Sequence, residues 1–262
     1  MLVADLEYAV SDGIGTITLN RPAKRNAFTM AMVERWAEVY QAARTDSAVA
    51  VVMVTGAGQS FCSGVDLAEL QAVPATPLAR KQMLTEQIHR VAYALEDLDK
   101  PVIAAVNGAA IGAGMDMALM CDIRLASHSA RFAEAYINVG LVPGDGGCYY
   151  LPRLVGTAKA LELMLTGDVV DGAEAARLGI ANHVYEDSDL LPKTYELARK
   201  IAAAPPVAVR MIKRAVYQSA RADLRTSLDL ISSHMAVVQS TRDSAEAYEA
   251  FRAHRPAVFT GH

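Results

Sequence analysis

The sequence predicts an α/β fold with a helical C-terminal region. Three observations carry this: short β-branched runs bounded by glycine or polar turns, helical patterns between those runs, and a second half in which strand signals become sparse. The runs at 14–19, 49–55 and 102–106 read as strands. Helical patterns lie between them at 30–43, with Thr29 as candidate cap, and at 78–98, after the Pro74/Pro77 loop. From Gly156 onward the stretches 158–165, 190–203, 207–218 and 224–239 read as helices, and Pro205-Pro206 breaks the chain among them. The expected organisation is an α/β core over 1–204 and a helical region over 205–262.

Length and composition narrow the function classes. At 262 residues the chain is near the upper size of a single domain, and its 52% hydrophobic content suffices for one core. A net charge of -4 gives no general pull toward nucleic acid or an anionic membrane, so an anionic ligand must be held by a local site. Three cysteines, Cys62, Cys121 and Cys148, without CxxC spacing argue against a disulfide framework or a structural zinc, and a reducing cytoplasm is the expected setting. The opening MLVADLEYAV has no basic region followed by an apolar stretch, and no run of about 18 apolar residues occurs, so neither secretion nor a membrane span is expected.

Several motifs are missing. Gly112-Ala113-Gly114 has Met117 where a dinucleotide fingerprint needs its third glycine, no GxxxxGK[ST] loop occurs, and neither Ser60 nor Ser63 sits in a GxSxG elbow. The six histidines show no paired metal-ligand spacing, and no metal site is expected.

Two glycine-bearing turns remain, with one carboxylate. Residues 57–67 follow a buried-type strand and are rich in residues that let backbone approach a ligand, although an ordinary surface loop would read the same way. Residues 102–116 run from a strand through a turn into a helix start, where free N–H groups point outward. Amides contributed by two such turns make an oxyanion hole. Asp116 is the only charged residue between Pro101 and Cys121 and is expected to be buried. Burial raises a carboxyl pKa and the helix start lowers it, so the sequence leaves the direction open, and an acid that merely complements the helix dipole fits as well. Asp122 reads as a turn cap.

Together these segments resemble the enoyl-CoA hydratase/isomerase (crotonase) family. The matching features are Asn20-Arg21-Pro22 with Asn26-Ala27, Ser60 to Leu67, Lys100 to Ala104, Asn107-Gly108, Gly112-Ala113-Gly114, Cys121-Asp122, Val139 to Pro143, Gly146-Gly147, Leu165-Thr166-Gly167, Ala175 to Gly179 and the closing Arg255 to Phe259. Their order covers nearly the whole chain. The resemblance implies a crotonase-like spiral of ββα units whose C-terminal helical region assembles homotrimers or dimers of trimers. It implies Val65 N–H and Ala113 N–H as oxyanion donors, and Asp116 as the group that moves a proton. Backbone of Ser63, Gly64, Asp66 and Leu67 would contact the adenine end of coenzyme A, with Lys24 and Arg25 near its phosphates and Ala27, Gly112 and Asp145 also at the coenzyme A/acyl site. Coenzyme A would be part of the substrate, no cofactor would be tightly bound, and fatty acid metabolism would be the setting.

Departures from the family pattern shape the expected reaction. Hydratases of the family resemble a two-glutamate design, and this chain has Asp116 at one position and Tyr136 at the other. Tyr136 either lends a phenol or forms pocket wall, the latter being favoured. A carboxylate that some family isomerases place at the position of Gly144 is shifted here to Asp145, and Cys148-Tyr149-Tyr150 suggests a pocket for a bulky or ring-bearing acyl group. The expectation is an acyl-CoA enzyme in which double-bond isomerisation is favoured over hydration. A hydratase proper, an enzyme hydrolysing or retro-condensing a cyclic ketoacyl-CoA, and a non-catalytic acyl-CoA binder are the alternatives.

Overall fold

The computed structural model describes residues 4–262, so the first three residues of the opening decapeptide lie outside it. Ten strands run β1 Leu6–Ser11, β2 Ile14–Leu19, β3 Val51–Gly56, β4 Ser60–Cys62, β5 Val102–Val106, β6 Ala109–Ile111, β7 Ile123–Ser127, β8 Arg131–Ala133, β9 Val170–Asp171 and β10 His183–Tyr185. They form a six-stranded sheet in the order β1-β2-β3-β5-β7-β10 and a four-stranded sheet in the order β4-β6-β8-β9. From β2 to β10 the large sheet is parallel. Each of β3, β5 and β7 is followed by a short strand of the second sheet and then by helical structure: Leu67–Ala72 after β4, Ala113–Leu119 after β6, Ala135–Val139 and Gly147–Val155 after β8. The chain therefore winds as successive ββα units, the expected spiral.

Patterning explains why the large sheet forms. Val52, Val54, Val102, Ala104 and Val106 point into one core, while Val51, Met53, Ile103 and Ala105 point into a second on the opposite face. With period 2 and both faces covered, such strands read as continuous apolar runs. Met32, Val33, Trp36, Ala37, Tyr40 and Ala43 of the helix Met30–Thr45 recur at helical spacing and bury against the first core. Thr29 caps that helix, its hydroxyl accepting Met32 N–H at 3.2 Å. Leu190 and Ala198 of the helix Leu190–Ala202 cover the second core.

The expected helix at 78–98 is Pro77–Gln82, the wider-wound Met83–Ile88 and His89–Glu96 in succession. Beyond Pro205 lie three helices, Pro206–Ser219, Leu224–Gln239 and Arg242–Arg252, the last absent from the sequence-based expectation. Strands β4, β6, β8, β9 and β10 are absent from it too, because two or three residues cannot display a period. Asp122 binds more than one turn. Its carboxylate accepts Val102 N–H at 2.7 Å and the Tyr217 hydroxyl at 2.7 Å and pairs with Lys213 at 2.8 Å, tying β5 to the C-terminal helices.

β4 of the small sheet lies against β3 and β5 of the large one, and Ala113–Leu119 lies on β4. A Cβ on Gly114 would collide with the Cys62 carbonyl oxygen, so only glycine permits this approach. Gly114→Ala is expected to lift the helix, lowering stability by about 1–3 kcal/mol in urea denaturation and disturbing the adjacent Ala113 amide.

Candidate active site

Side-chain amides shape the first turn. Asn107 Nδ2 donates to the Gly56 carbonyl at 2.8 Å and the Gly58 carbonyl at 2.9 Å, while its Oδ1 accepts Gly56 N–H at 3.2 Å. Asn26, fully buried and in the left-handed region at φ 55°, donates to the carbonyls of Ala57 at 2.9 Å and Ser60 at 2.7 Å. These bonds use polar backbone that would otherwise be stranded between the sheets.

Beyond β4 the chain runs beside Phe28. Phe28 N–H donates to Gly64 O at 2.8 Å and Asp66 N–H to Phe28 O at 2.9 Å. Backbone alternation therefore turns Val65 N–H the other way, where no acceptor among the described residues receives it. Ala113 opens the next helix, and its N–H is likewise unclaimed, as helix geometry requires of a first residue. The turns touch: a Cβ on Gly64 would lie 3.3 Å from Ile111 O and 3.5 Å from Ala113 N. Two free amides on adjacent turns can stabilise an oxyanion.

The segment 24–27 lies alongside. Ser63 N–H donates to Arg25 O at 3.0 Å, the Ser63 hydroxyl to Lys24 O at 3.3 Å, and Arg21 Nη1 to Ala27 O at 2.6 Å. Lys24, Arg25 and Leu67 are exposed, whereas Ala27 is buried. The Asp66 side chain has structural work: it accepts Ala68 N–H as a helix cap and pairs with Arg21 at 2.8 Å, both of which hold its carboxyl below the usual range. A cleft of about 550 Å³ opens between Leu67–Ala72 and Met83–Ile88, lined in part by Met30, Val73 and Met83.

On the other side of Ala113 stands a group of acids. Asp116 is fully buried, and its Oδ2 accepts the Tyr136 hydroxyl at 2.7 Å and Asp145 N–H at 3.1 Å. The Tyr136 hydroxyl also faces Asp145 Oδ2 at 3.3 Å, but its single proton favours the shorter partner. Asp145, 3% exposed, thus joins the cluster, as does Glu134 at 1%. Sequence reasoning missed Glu134. Glu134 follows the three-residue β8, and because Phe132 and Ala133 before it are both buried, alternation gave no signal for it. Gly112 packs on the Tyr136 ring, where an added Cβ would lie 3.7 Å from Cε2. Of the two tyrosines after Cys148, Tyr149 is exposed under the Arg153 guanidinium, and only Tyr150 packs inward.

Burial governs the acidity of the group. It raises the Asp116 carboxyl, and the donors facing it offset only part of the rise. Glu134 is pushed up to about 10 and Asp145 up to about 7, by burial first and the Asp116 charge second. Tyr136 rises well above 10 for the same two reasons, so its phenol stays protonated. No Lys or Arg among the described residues pairs with Asp116, Glu134 or Asp145, and no group of three His, Cys, Asp or Glu among them is arranged to hold a metal ion.

Residues 9–262 match the family model described as enoyl-CoA hydratase/isomerase. The chain belongs to the enoyl-CoA hydratase/isomerase family, and it is an enzyme of that family. Among its relatives, a short-chain-enoyl-CoA hydratase of Clostridium acetobutylicum is 37% identical over 91% of this chain and 90% of the relative. A 1,2-epoxyphenylacetyl-CoA isomerase of Escherichia coli is 36% identical over 96% and 97%. A solved enoyl-CoA hydratase of Bacillus anthracis superposes with a TM-score of 0.94 at 31% identity, covering 99% of this chain and 100% of that one. Its crotonase fold is the spiral described above. Hydratases and isomerases are both represented, so membership alone leaves the reaction of this family member open.

The acid cluster has a measurable consequence for stability. Below about pH 4 the Asp145 carboxyl is protonated in the folded and unfolded chains alike, whereas above its raised value of about 7 the folded state bears the full cost of a buried charge. Stability from this group is thus lost as pH rises from about 4 to about 7. Asp145→Asn should gain about 2–4 kcal/mol relative to wild type between pH 4 and pH 8 in urea denaturation.

Proposed function

We propose that the enzyme binds an acyl-CoA thioester with its carbonyl oxygen between Val65 N–H and Ala113 N–H, and that Asp116 transfers the proton at carbon. Negative charge develops on the thioester oxygen as the enolate forms, and each preorganised amide contributes roughly 3–4 kcal/mol toward that state. Asp116 beside the second turn has the raised pKa expected of a carboxyl that exchanges protons with carbon. The nucleotide of coenzyme A would lie along Ser63 to Leu67, with Lys24 and Arg25 exposed toward its phosphates and Ala27 and Gly112 lining the path to the thioester. Coenzyme A enters as part of the substrate, and the chemistry calls for no further cofactor.

Double-bond isomerisation is the reaction we favour, and the 2.7 Å bond from the Tyr136 hydroxyl to Asp116 carries that reading. At the position where family hydratases resemble a second-glutamate design, the group here is a protonated phenol already engaged as a donor. It steadies Asp116 but does not activate water. Isomerisation needs one base, which takes a proton from one carbon of the enolate system and returns it to another. Hydration is the second reading, favoured by Asp145, whose carboxyl faces the same phenol and titrates near 7. A ring-bearing acyl group would suit the cleft beside Met30 and Val73, consistent with a relative named for a phenylacetyl thioester. Three unpaired cysteines suit a reducing cytoplasm, and acyl-CoA chemistry suits fatty acid metabolism. Assembly would run through the region 205–262, whose helices expose Ile212, Val216, Leu224, Leu228, Ile231 and Met235.

On one acyl skeleton, 3-enoyl to 2-enoyl isomerisation should exceed hydration by more than about tenfold, since a general acid-base group typically contributes 10² to 10⁴, and Asp116→Asn should abolish it. Rapid hydration that survives Asp116→Asn overturns the assignment; hydration lost in Asp145→Asn moves the second carboxylate to Asp145, and hydration lost in Tyr136→Phe gives that role to the phenol. Light scattering should return three or six times the 28.0 kDa chain mass, and a monomer would exclude the assembly.

A further inference from the structure

Glu134 has no role in the proton transfer described above, yet it sits against the group that performs it. Its side chain is buried among β8, the turn Ala135–Val139 and the start of Gly147–Val155. Both of its carboxyl oxygens lack a hydrogen-bond partner of good geometry, and so does Asp116 Oδ1. A Cβ on Gly147 would collide with Asp116 Oδ1 and stand 2.7 and 2.9 Å from the two Glu134 oxygens. The three orphaned acceptors therefore crowd one small space that exists because residue 147 has no side chain. Buried acceptors without donors are costly; besides the Gly147 N–H, which faces Asp116 and holds its carboxyl down, a proton lying between two of them is the donor the neighbourhood can supply.

Charge leads to the same place. Two adjacent buried carboxylates with no cation paired to either cannot both be ionised, and one of them must hold a proton. Donors decide which. Asp116 receives the Tyr136 hydroxyl and the Asp145 amide, whereas Glu134 receives neither. We propose that Glu134 is a positioning residue that carries the proton and donates it to Asp116 Oδ1, so that the pair holds one negative charge, located on Asp116. The Asp116 carboxylate is then braced on both oxygens, by Tyr136 and Asp145 on one and by Glu134 on the other, and cannot rotate as it exchanges its proton. The part of this inference that concerns catalysis rests on the role proposed for Asp116; the shared proton does not.

Other titratable groups facing Glu134 are Asp145 from the loop before Gly146, pushed up to about 7, and Tyr136 from the turn and Cys148 from the following helix, both raised by burial. Glu134→Gln separates them, because the amide donates to Asp116 and cannot ionise. Infrared spectra of the ligand-free enzyme near pH 8.5 should contain a protonated-carboxyl band that persists in Asp145→Asn and vanishes in Glu134→Gln. Turnover should fall in wild type as pH approaches about 10 and lose that alkaline limb in Glu134→Gln, which keeps kcat within about threefold at pH 7. Glu134→Ala should lower kcat by about tenfold or more with KM within about threefold. A band unchanged in Glu134→Gln, or an alkaline limb retained there, overturns the proposal even if Glu134→Ala fails to fold. If the band behaves as expected while Asp116→Asn keeps full turnover, the shared proton stands and the role of Asp116 falls.

Discussion

The carbonyl oxygen of Cys62 and the Cα of Gly114 share a space that a methyl group cannot enter, and the active-site geometry descends from that approach. It seats the helix Ala113–Leu119 on β4 and thereby puts an unclaimed helix-start amide beside the turn that carries Val65. Neither amide is made available by a special residue at its own position. Val65 N–H is free because its neighbours Gly64 and Asp66 bond to Phe28 on the opposite side, and Ala113 N–H is free because a helix cannot satisfy its first donor. Asn26 and Asn107 hold the turn by replacing missing backbone partners with side-chain amides. Rigidity at this point would serve the proposed oxyanion role, since a donor is effective only where it does not have to move toward the developing charge.

The same helix carries Asp116 into a compartment with Glu134 and Asp145, where no Lys or Arg among the described residues pairs with any of the three. In water such a cluster would spread its charges; here burial prevents ionisation of most members and leaves a short chain of donors converging on one carboxylate. Tyr136 joins that chain through its hydroxyl, while its ring packs on Gly112. Its phenol, held protonated by burial and by the acids it faces, exerts a steady orienting bond on Asp116. A carboxylate at the same place would have added a further charge to the cluster, with different consequences for every pKa in it.

Relatives of this chain include enzymes named for hydration and enzymes named for isomerisation at nearly equal identity. Relatives can share a fold while differing in reaction, because the reaction depends on the groups placed at the site. In this enzyme Asp116, Glu134 and Asp145 reach one locus from a helix, a strand end and a loop.

Much of this protein was legible from sequence because its larger elements carry strong periodic signals. The long helices at 30–45, 190–202, 206–219 and 224–239 and the central strands β2, β3 and β5 bury continuous apolar faces, and burial of a face writes a period into the residues. The two-turn arrangement was legible too, through glycine placement and order of motifs. The second sheet was not, since strands of two or three residues are held by their neighbours and not by their own pattern. Nor was the acid cluster: Asp116, Glu134 and Asp145 are separated by 18 and 11 residues, so nothing local distinguishes a buried Glu134 from a solvated one. Sequence alone determined the α/β core, the two turns and Asp116 as the lone charge of its segment, with the spiral implied by the family resemblance; only tertiary structure decided which acids share its space, because proton sharing depends on distances between side chains that the chain brings together last.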